Sequence, residues 1–231
     1  MIKYPKLISS ILILFMVIFM GCAPKYTTKG EKFPLMYQEH PVSILVLPPI
    51  NQSTAADAKE YYATTIVEPL SMSGYYVFPI EVTSDILKME GIYDTELLLN
   101  TPPQKFKTYF GADAVLYTTI EKWNVMYAVI AANLTVAVNC VMKSTTSGEI
   151  LWQYKGVVVV DLSGSNQSSS GLAGLIAKAV ITAINTAAAD YVPHAKRANY
   201  IALRTIPVGK YHPMHGKDMD IRFIDRDSTK E

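Results

Sequence analysis

Apolar runs and amphipathic segments alternate between residues 42 and 80. Val42–Leu47 is an apolar run broken only by Ser43 and closed by two prolines, and it predicts a central strand. Residues 55–73 then predict a helix whose apolar side chains recur every four positions, at Tyr62, Ile66 and Leu70. Tyr75–Ile80 predicts a second strand. Strand, helix and strand in this order form a crossover unit, in which the two strands pair in parallel.

Two shorter helices are predicted after the second strand. One covers Val82–Glu90, and the other ends at Phe110 before a glycine that can act as a C-cap. The segment Thr101–Gln104 has the form of a capping box with proline at the first helical position, so the second of these helices is expected to begin there.

The pattern changes to a period of two from Asp113 to Asp161. Alternation of this kind predicts strands with one buried face, and Ser147-Gly148 marks a turn between two of them. We therefore expect an antiparallel meander of three strands, over residues 113–126, 129–144 and 149–161.

A long apolar helix is predicted over Gly171–Val192, after a loop rich in serine and glycine. We interpret it as a core helix that lies on the sheet rather than as a membrane span. Lys178 lies well inside it, and a charge at that depth costs about 2.5–3.5 kcal/mol on insertion scales. Pro193 interrupts the helix, and a more basic helix is predicted over His194–Arg204.

These elements predict an α/β protein: a single three-layer-type domain, with a mixed sheet of about five strands covered by helices. The sheet combines two parallel crossover strands with the antiparallel three-strand meander. The chain is expected to divide into a signal peptide, a lipid anchor and tether, an α/β periplasmic domain and a loosely ordered C-terminal tail, at residues 1–21, 22–40, 41–206 and 207–231.

The N-terminus has the features of a secretory signal. Lys3 and Lys6 precede an apolar run, Leu7–Met20, which is short for a bilayer span but suits a signal-peptide core. Gly21 and Cys22 follow directly. We interpret them as a lipoprotein processing site, at which a peptidase cuts before Cys22 and the Cys22 thiol carries a diacylglycerol.

The processing site departs from the usual pattern at two positions. Phe19 and Met20 stand where a leucine and a small residue are usual, so an uncleaved N-terminal membrane helix remains the alternative. Ala23 stands where inner-membrane lipoproteins typically carry aspartate. This favours the outer membrane, with the domain facing the periplasm and surface exposure left open.

Charge and cysteine content exclude some classes of function. Lys and Arg total 21 against 20 Asp and Glu, a balance that a nucleic-acid-binding protein with a basic face does not show. The chain has two cysteines, so acylation of Cys22 leaves Cys140 without a disulfide partner. Cys140 lies in the alternating stretch and is expected to be a small buried side chain.

Candidate chemistry is sparse. The chain lacks the serine-hydrolase, zinc-protease, P-loop and dinucleotide motifs, and we predict no catalytic residue, cofactor or metal. His212 and His215 have the spacing of metal ligands but are expected to be solvated tail residues. We expect caps and surface charges at Glu68, Asp85, Glu90 and Asp113. Trp123 and Trp152 lie on predicted neighbouring strands, across which they could meet, and we expect them to serve in packing rather than as a ligand platform.

Several segments resemble a family of bacterial outer-membrane lipoproteins of unknown function. They are Val42–Pro49, Pro69-Leu70, Gly74–Pro79, Gly111–Leu116, Gly148–Trp152 and Gly209–Pro213. The resemblance covers the chain from Cys22 to about Phe223. It implies a fold similar to the TolB N-terminal domain and the CsgG periplasmic domain. Members are often encoded beside a CsgG-like lipoprotein, and no catalytic residue is carried over from the family.

The resemblance and the missing motifs favour a lipid-anchored binding or assembly module in an envelope secretion or transport complex. The expected partners are the outer membrane, through Cys22, and a CsgG-like lipoprotein, with a homo-oligomer left open. The alternatives are a hydrolase of envelope polymers with an unrecognised site and a monomeric lipoprotein that binds a small ligand.

Overall fold

The computed structural model describes residues 26–128, 131–162 and 191–225. The predicted processing site and residues 171–190 of the predicted Gly171–Val192 helix lie outside these ranges. The strands are β1 (Tyr26–Thr28), β2 (Ser43–Val46), β3 (Ile50–Asn51), β4 (Tyr76–Val77), β5 (Ala114–Ala128), β6 (Ala131–Ser144), β7 (Ile150–Asp161) and β8 (Arg222–Ile224). The α-helices are α1 (Lys29–Lys32), α2 (Pro34–Glu39), α3 (Ala58–Met72), α4 (Ile80–Met89), α5 (Gln104–Phe110) and α6 (Val192–Ala202), and the 3-10 helices are η1 (Thr95–Leu98) and η2 (Leu203–Thr205).

The main sheet has the strand order β4-β2-β5-β6-β7, with β3 paired to β5 beyond the end of β2. β2 is parallel to both of its neighbours, which confirms the predicted central strand and the crossover through α3. From Ile44 to Val46 its side chains are buried on both sides of the sheet, as expected for the predicted central strand. β4 is shorter than predicted, because the chain turns into α4 directly after Pro79.

The predicted meander is confirmed. β5 pairs antiparallel with β6, and β6 pairs antiparallel with β7, over nearly their full lengths. A register shift between Ile120 and Lys122 interrupts the regular alternation of side chains along β5. As a result, Ile120 and Trp123 face the same core although they are three positions apart.

Helices cover both faces of the parallel half of the sheet, as the three-layer prediction requires. On one face, α3 and α6 bury their apolar sides against the meander, with Tyr62, Ile66 and Leu70 fully buried as predicted. On the other face, Leu45 of β2 and Leu47 directly after β2 pack with α4, η1 and α5. The core therefore lies on two sides of one sheet, and the first cluster is much the larger.

The terminal segments belong to the domain, which differs from the expected tether and loose tail. β1 pairs antiparallel with β8, and residues 209–211 bind the end of α3 through Gly209 N to Ser73 O (2.8 Å) and Tyr211 N to Gly74 O (3.0 Å). A side chain at Gly74 would clash with the backbone of His212. This packing depends on contacts between the two ends of the chain, which no local periodicity reveals.

A buried ion pair holds the two ends together. Lys29 Nζ lies 3.1 Å from Asp218 Oδ2 and also donates to Ile206 O at 2.7 Å. Asp218 further accepts hydrogen bonds from Tyr37 Oη (3.0 Å) and Val208 N (2.9 Å). Burial and this carboxylate raise the pKa of Tyr37, which keeps the phenol protonated as a donor.

Two local predictions are wrong. α5 begins at Gln104, and no side chain caps it, because Pro102 and Pro103 start the turn through their carbonyls. The two tryptophans do not meet, since β6 separates β5 from β7: Trp123 stacks with Tyr61, and Trp152 contacts Phe33 and Tyr154.

Candidate functional site

The predicted site residue, Cys22, lies outside the described residues, so its acylation stays a prediction. Cys140 lies in the core with no exposed surface, and its thiol contacts Tyr62 Oη (3.6 Å) and Thr118 Oγ1 (3.8 Å). Burial raises the pKa of Cys140 to about 11, although both hydroxyls act in the opposite direction. The thiol therefore stays protonated and unreactive, which agrees with its expected packing role.

The polar residues considered for chemistry are dispersed. Glu68 pairs with Lys196 on the surface, Asp85 pairs with Lys88, and Asp113 binds the start of β2. His215 packs edge-on against His40, with its Nδ1 3.2 Å from Val208 O. Within the described ranges no group of three or more His, Cys, Asp or Glu side chains could hold a metal ion.

The helices α4 and α5, with η1 between them, enclose an apolar groove of about 370 Å³. Leu87, Leu98 and Phe106 form its floor and belong to the smaller core cluster. Large apolar side chains in this layer are exposed to solvent: Ile86, Met89, Tyr93, Leu97, Leu99 and Tyr109. Concentrated apolar exposure of this kind marks a surface for interaction, whereas single exposed apolar residues are ordinary.

The layer around the groove carries more negative than positive charge. Five of its carboxylates are exposed, Glu81, Asp85, Glu90, Asp94 and Glu96, against three exposed lysines, Lys88, Lys105 and Lys107. Lys88 pairs with Asp85, Lys107 pairs with Asp113 at 2.7 Å, and Lys105 and Glu90 both line the groove. A complementary surface would therefore be apolar at its centre and basic at its edge.

A second depression, of about 330 Å³, lies beyond the carboxyl end of β2 between α3 and α4. β2 has β4 on one side and β5 on the other, so this is the switch point at which open α/β sheets commonly bind ligands. Its polar lining consists of solvent-accessible side chains such as Lys59, Glu81 and Lys88, and Thr95 is occupied by a bond to Pro48 O (2.7 Å).

Sequence reasoning missed the apolar groove. Its signal was available, because α4 has apolar residues on two sides: Ile80 and Leu87 face the core, while Val82, Ile86 and Met89 do not. A helix that covers a sheet with one side needs no second apolar side.

None of the helices in the described part of the chain combines the length and apolar character needed to cross a bilayer.

The comparisons with known proteins agree with the lipoprotein interpretation. A family model described as "Putative lipoprotein GNA1162-like" matches residues 33–209. The Neisseria meningitidis serogroup B protein "Putative lipoprotein NMB1124/NMB1162" is 32% identical over 153 residues, which are 66% of this chain and 70% of that protein.

Several solved structures are similar to this chain. The crystal structure of lipoprotein GNA1162 from Neisseria meningitidis is 32% identical and has a TM-score of 0.49, covering 63% of this chain and 99% of that one. A PelC dodecamer from Paraburkholderia phytofirmans is 13% identical with a TM-score of 0.41, covering 82% of this chain and 96% of that one. E. coli LpoB is 15% identical with a TM-score of 0.36, covering 62% and 72%.

The likenesses to PelC and LpoB are too distant to extend to function. The family match covers most of the chain, spans the sheet and the apolar groove, and agrees with the family indicated by the sequence segments. The chain belongs to the GNA1162-like lipoprotein family.

Proposed function

We propose that this protein is a lipid-anchored binding module of the bacterial envelope, and that it binds a partner protein through the groove between α4, η1 and α5. The observation that carries the proposal is that the layer of α4, η1 and α5 exposes six large apolar side chains, of which Ile86 and Tyr109 line the groove itself. The partner segment is apolar with flanking basic residues, because the layer around the groove exposes more carboxylates than lysines.

The anchor is the acylated Cys22, and Ala23 directs the protein to the outer membrane. A single acyl chain holds a protein only marginally, whereas several chains hold it stably. Confinement to one membrane surface raises the effective concentration of other anchored proteins, so that a modest groove is sufficient for binding. The CsgG-like lipoprotein implied by the resemblance is the first partner to test, and a second copy of this chain is the next.

The groove is tested by photo-crosslinking in intact cells. A benzophenone amino acid replaces Met89, which is 86% exposed, and we expect an adduct with another envelope protein. The same amino acid at Val159, which is 60% exposed on the opposite half of the sheet, is the matched control and should give no adduct.

Tyr109→Glu places a charge at the rim and should lower the Met89 adduct about tenfold or more, because aromatic anchors contribute about 2 kcal/mol or more to an interface. Equal adducts at both positions, or none at Met89, contradict the proposal.

The anchor is tested separately. Cys22→Ser should abolish labelling with radioactive palmitate and leave the unprocessed precursor. If the variant still takes up label and fractionates with the outer membrane, the anchor is wrong, and the uncleaved membrane helix takes its place.

Two alternatives make different predictions. A monomeric lipoprotein that binds a small ligand would use the depression beyond β2. Ala63→Trp, which fills that depression, would then abolish ligand binding, and Tyr109→Glu would not. A hydrolase of envelope polymers would release products from purified peptidoglycan. That the protein is not an enzyme stays a prediction.

A further inference from the structure

We infer that the outer face of the β1–β8 ribbon lies against the lipid headgroups of the membrane that carries the protein. This inference rests on the acylation of Cys22 proposed above. It adds to that proposal the face of the domain that meets the bilayer.

The ribbon has two distinct faces. Tyr26 is paired with Ile224, and Thr28 with Arg222, so these four side chains share one face. Phe223 lies on the other face and stacks on Phe33 of the larger core cluster, with ring centroids 6.0 Å apart. The face opposite Phe223 is turned away from the domain, and Tyr26 is 60% exposed on it.

The ribbon is a fixed part of the domain. The Thr28 side chain caps α1 and forms a reciprocal capping box with Glu31. Lys32 Nζ lies 2.9 Å from Asp225 directly after β8, and Lys29 N donates to Ile221 O at 3.1 Å. The acylated segment therefore joins the domain at a rigid point, not at the end of a flexible tether.

Only three residues, 23–25, lie between Cys22 and Tyr26. Four extended residue steps reach at most about 14 Å. The headgroup layer itself takes about 5–7 Å of that distance, since it adds 10–15 Å to a hydrocarbon core of about 30 Å. A domain of about 200 residues has a radius of gyration near 16 Å, so it cannot turn a distant face to the bilayer while Tyr26 stays within reach.

The exposed side chains suit the membrane interface. Tyr26 and Ile224 offer an aromatic ring and a branched chain, which favour the boundary between headgroups and acyl chains. The exposed charges nearby are Arg222 with Glu31 beside it, and Asp220 two residues before Arg222, so these groups carry no net positive charge. The contact is therefore apolar in origin and should not depend on anionic lipid.

The test attaches an environment-sensitive fluorophore to the full-length acylated protein in vesicles. Ile224→Cys carries the fluorophore on the ribbon, and Val159→Cys carries it on the meander face away from the larger core. Both native residues are exposed branched side chains in strands, and native Cys140 is buried and unreactive. The vesicles are made of phosphatidylethanolamine, with and without phosphatidylglycerol, and contain a spin-labelled lipid quencher.

We expect the emission at position 224 to shift to the blue and to be quenched in both vesicle types, while the emission at position 159 stays as in water. Should Ile224→Cys lower the melting temperature, Arg222→Cys gives a second attachment point on the same face. If the protein floats with the vesicles but both positions report water, the inference fails and the anchor stands. If the protein does not float and takes up no palmitate, both fail.

If a second copy of the chain covers the ribbon instead, the emission at position 224 should shift to the blue without being quenched by the spin-labelled lipid. That result would overturn the membrane contact in favour of a homo-oligomer.

Discussion

The two faces of the sheet differ in how completely they are covered. On one face, α3, α6 and the terminal segments bury a large apolar cluster, in which Tyr62, Ile66 and Trp152 have no exposed surface. On the other face, the short helices α4 and α5 leave Met89 86% exposed and Tyr109 76% exposed. Both layers are rich in apolar residues, yet only the first encloses them.

The difference separates stability from binding. A closed face contributes mainly to the free energy of folding, whereas an open apolar layer contributes to folding only in part and remains available to a partner. Substitutions on the closed face should therefore lower stability strongly, and equivalent ones on the open layer should not.

The largest loss of stability is expected for Asp218→Ala, which removes the link that closes the first face. Asp218 is fully buried, and Lys29 is only 6% exposed, so the substitution leaves a buried ammonium without its counter-charge. Such losses cost about 3–5 kcal/mol. Equilibrium urea denaturation of the unacylated protein measures the effect.

The double variant Lys29→Met with Asp218→Leu is the control. It removes both charges together and should recover part of the loss, although Tyr37 and Val208 still lose their acceptor. If Asp218→Ala unfolds at the same urea concentration as the parent protein, the terminal segments do not help to close the first face.

A matched pair of isoleucines compares the faces directly. Ile66 on α3 is fully buried and Ile86 on α4 is 41% exposed. Ile66→Ala should cost about 2–5 kcal/mol, because it opens a cavity in the closed face. Ile86→Ala should cost at most about 1 kcal/mol, as a surface substitution does. Equal losses in urea denaturation would remove the distinction between the two layers.

The smallest effect on stability is expected when acid protonates Asp113, which lies at the junction of the open layer with the sheet. Burial would raise the pKa of Asp113, but hydrogen bonds from Lys107, Ser43 and the amides of Val42 and Ser43 outweigh it and lower the pKa. Because the folded pKa lies below the unfolded one, this stabilisation is present above about pH 4 and is lost as the pH falls further.

Asp113→Asn should remove that part of the pH dependence. The effect is less than about 1 kcal/mol, because 32% of the side chain is exposed and solvent screens the interaction. Unfolding free energies at neutral and at acidic pH measure it. A variant whose stability falls as steeply in acid as that of the parent protein contradicts this role.

Local patterns predicted much of the fold. The apolar run of β2 indicated a central strand, and the period-two stretch indicated the meander, because burial imposes those patterns on nearby residues. The pairing of β1 with β8 joins residues nearly 200 positions apart, and three-residue strands carry too little periodicity to be recognised. To predict that Trp123 and Trp152 do not meet, one needs the order of the strands in the sheet as well as their positions in the sequence.

The family, the α/β class, the parallel crossover and the antiparallel meander could be read from local segments of the chain, since each depends on residues close together in sequence. Which apolar residues are enclosed and which are left open depends instead on how the helices pack over the sheet. Ile66 and Ile86 look alike in helical patterns, and the layer that packs over each one decides its exposure. Likewise, the buried Lys29–Asp218 pair and the outward face of the β1–β8 ribbon exist only because folding brings the two ends of the chain together.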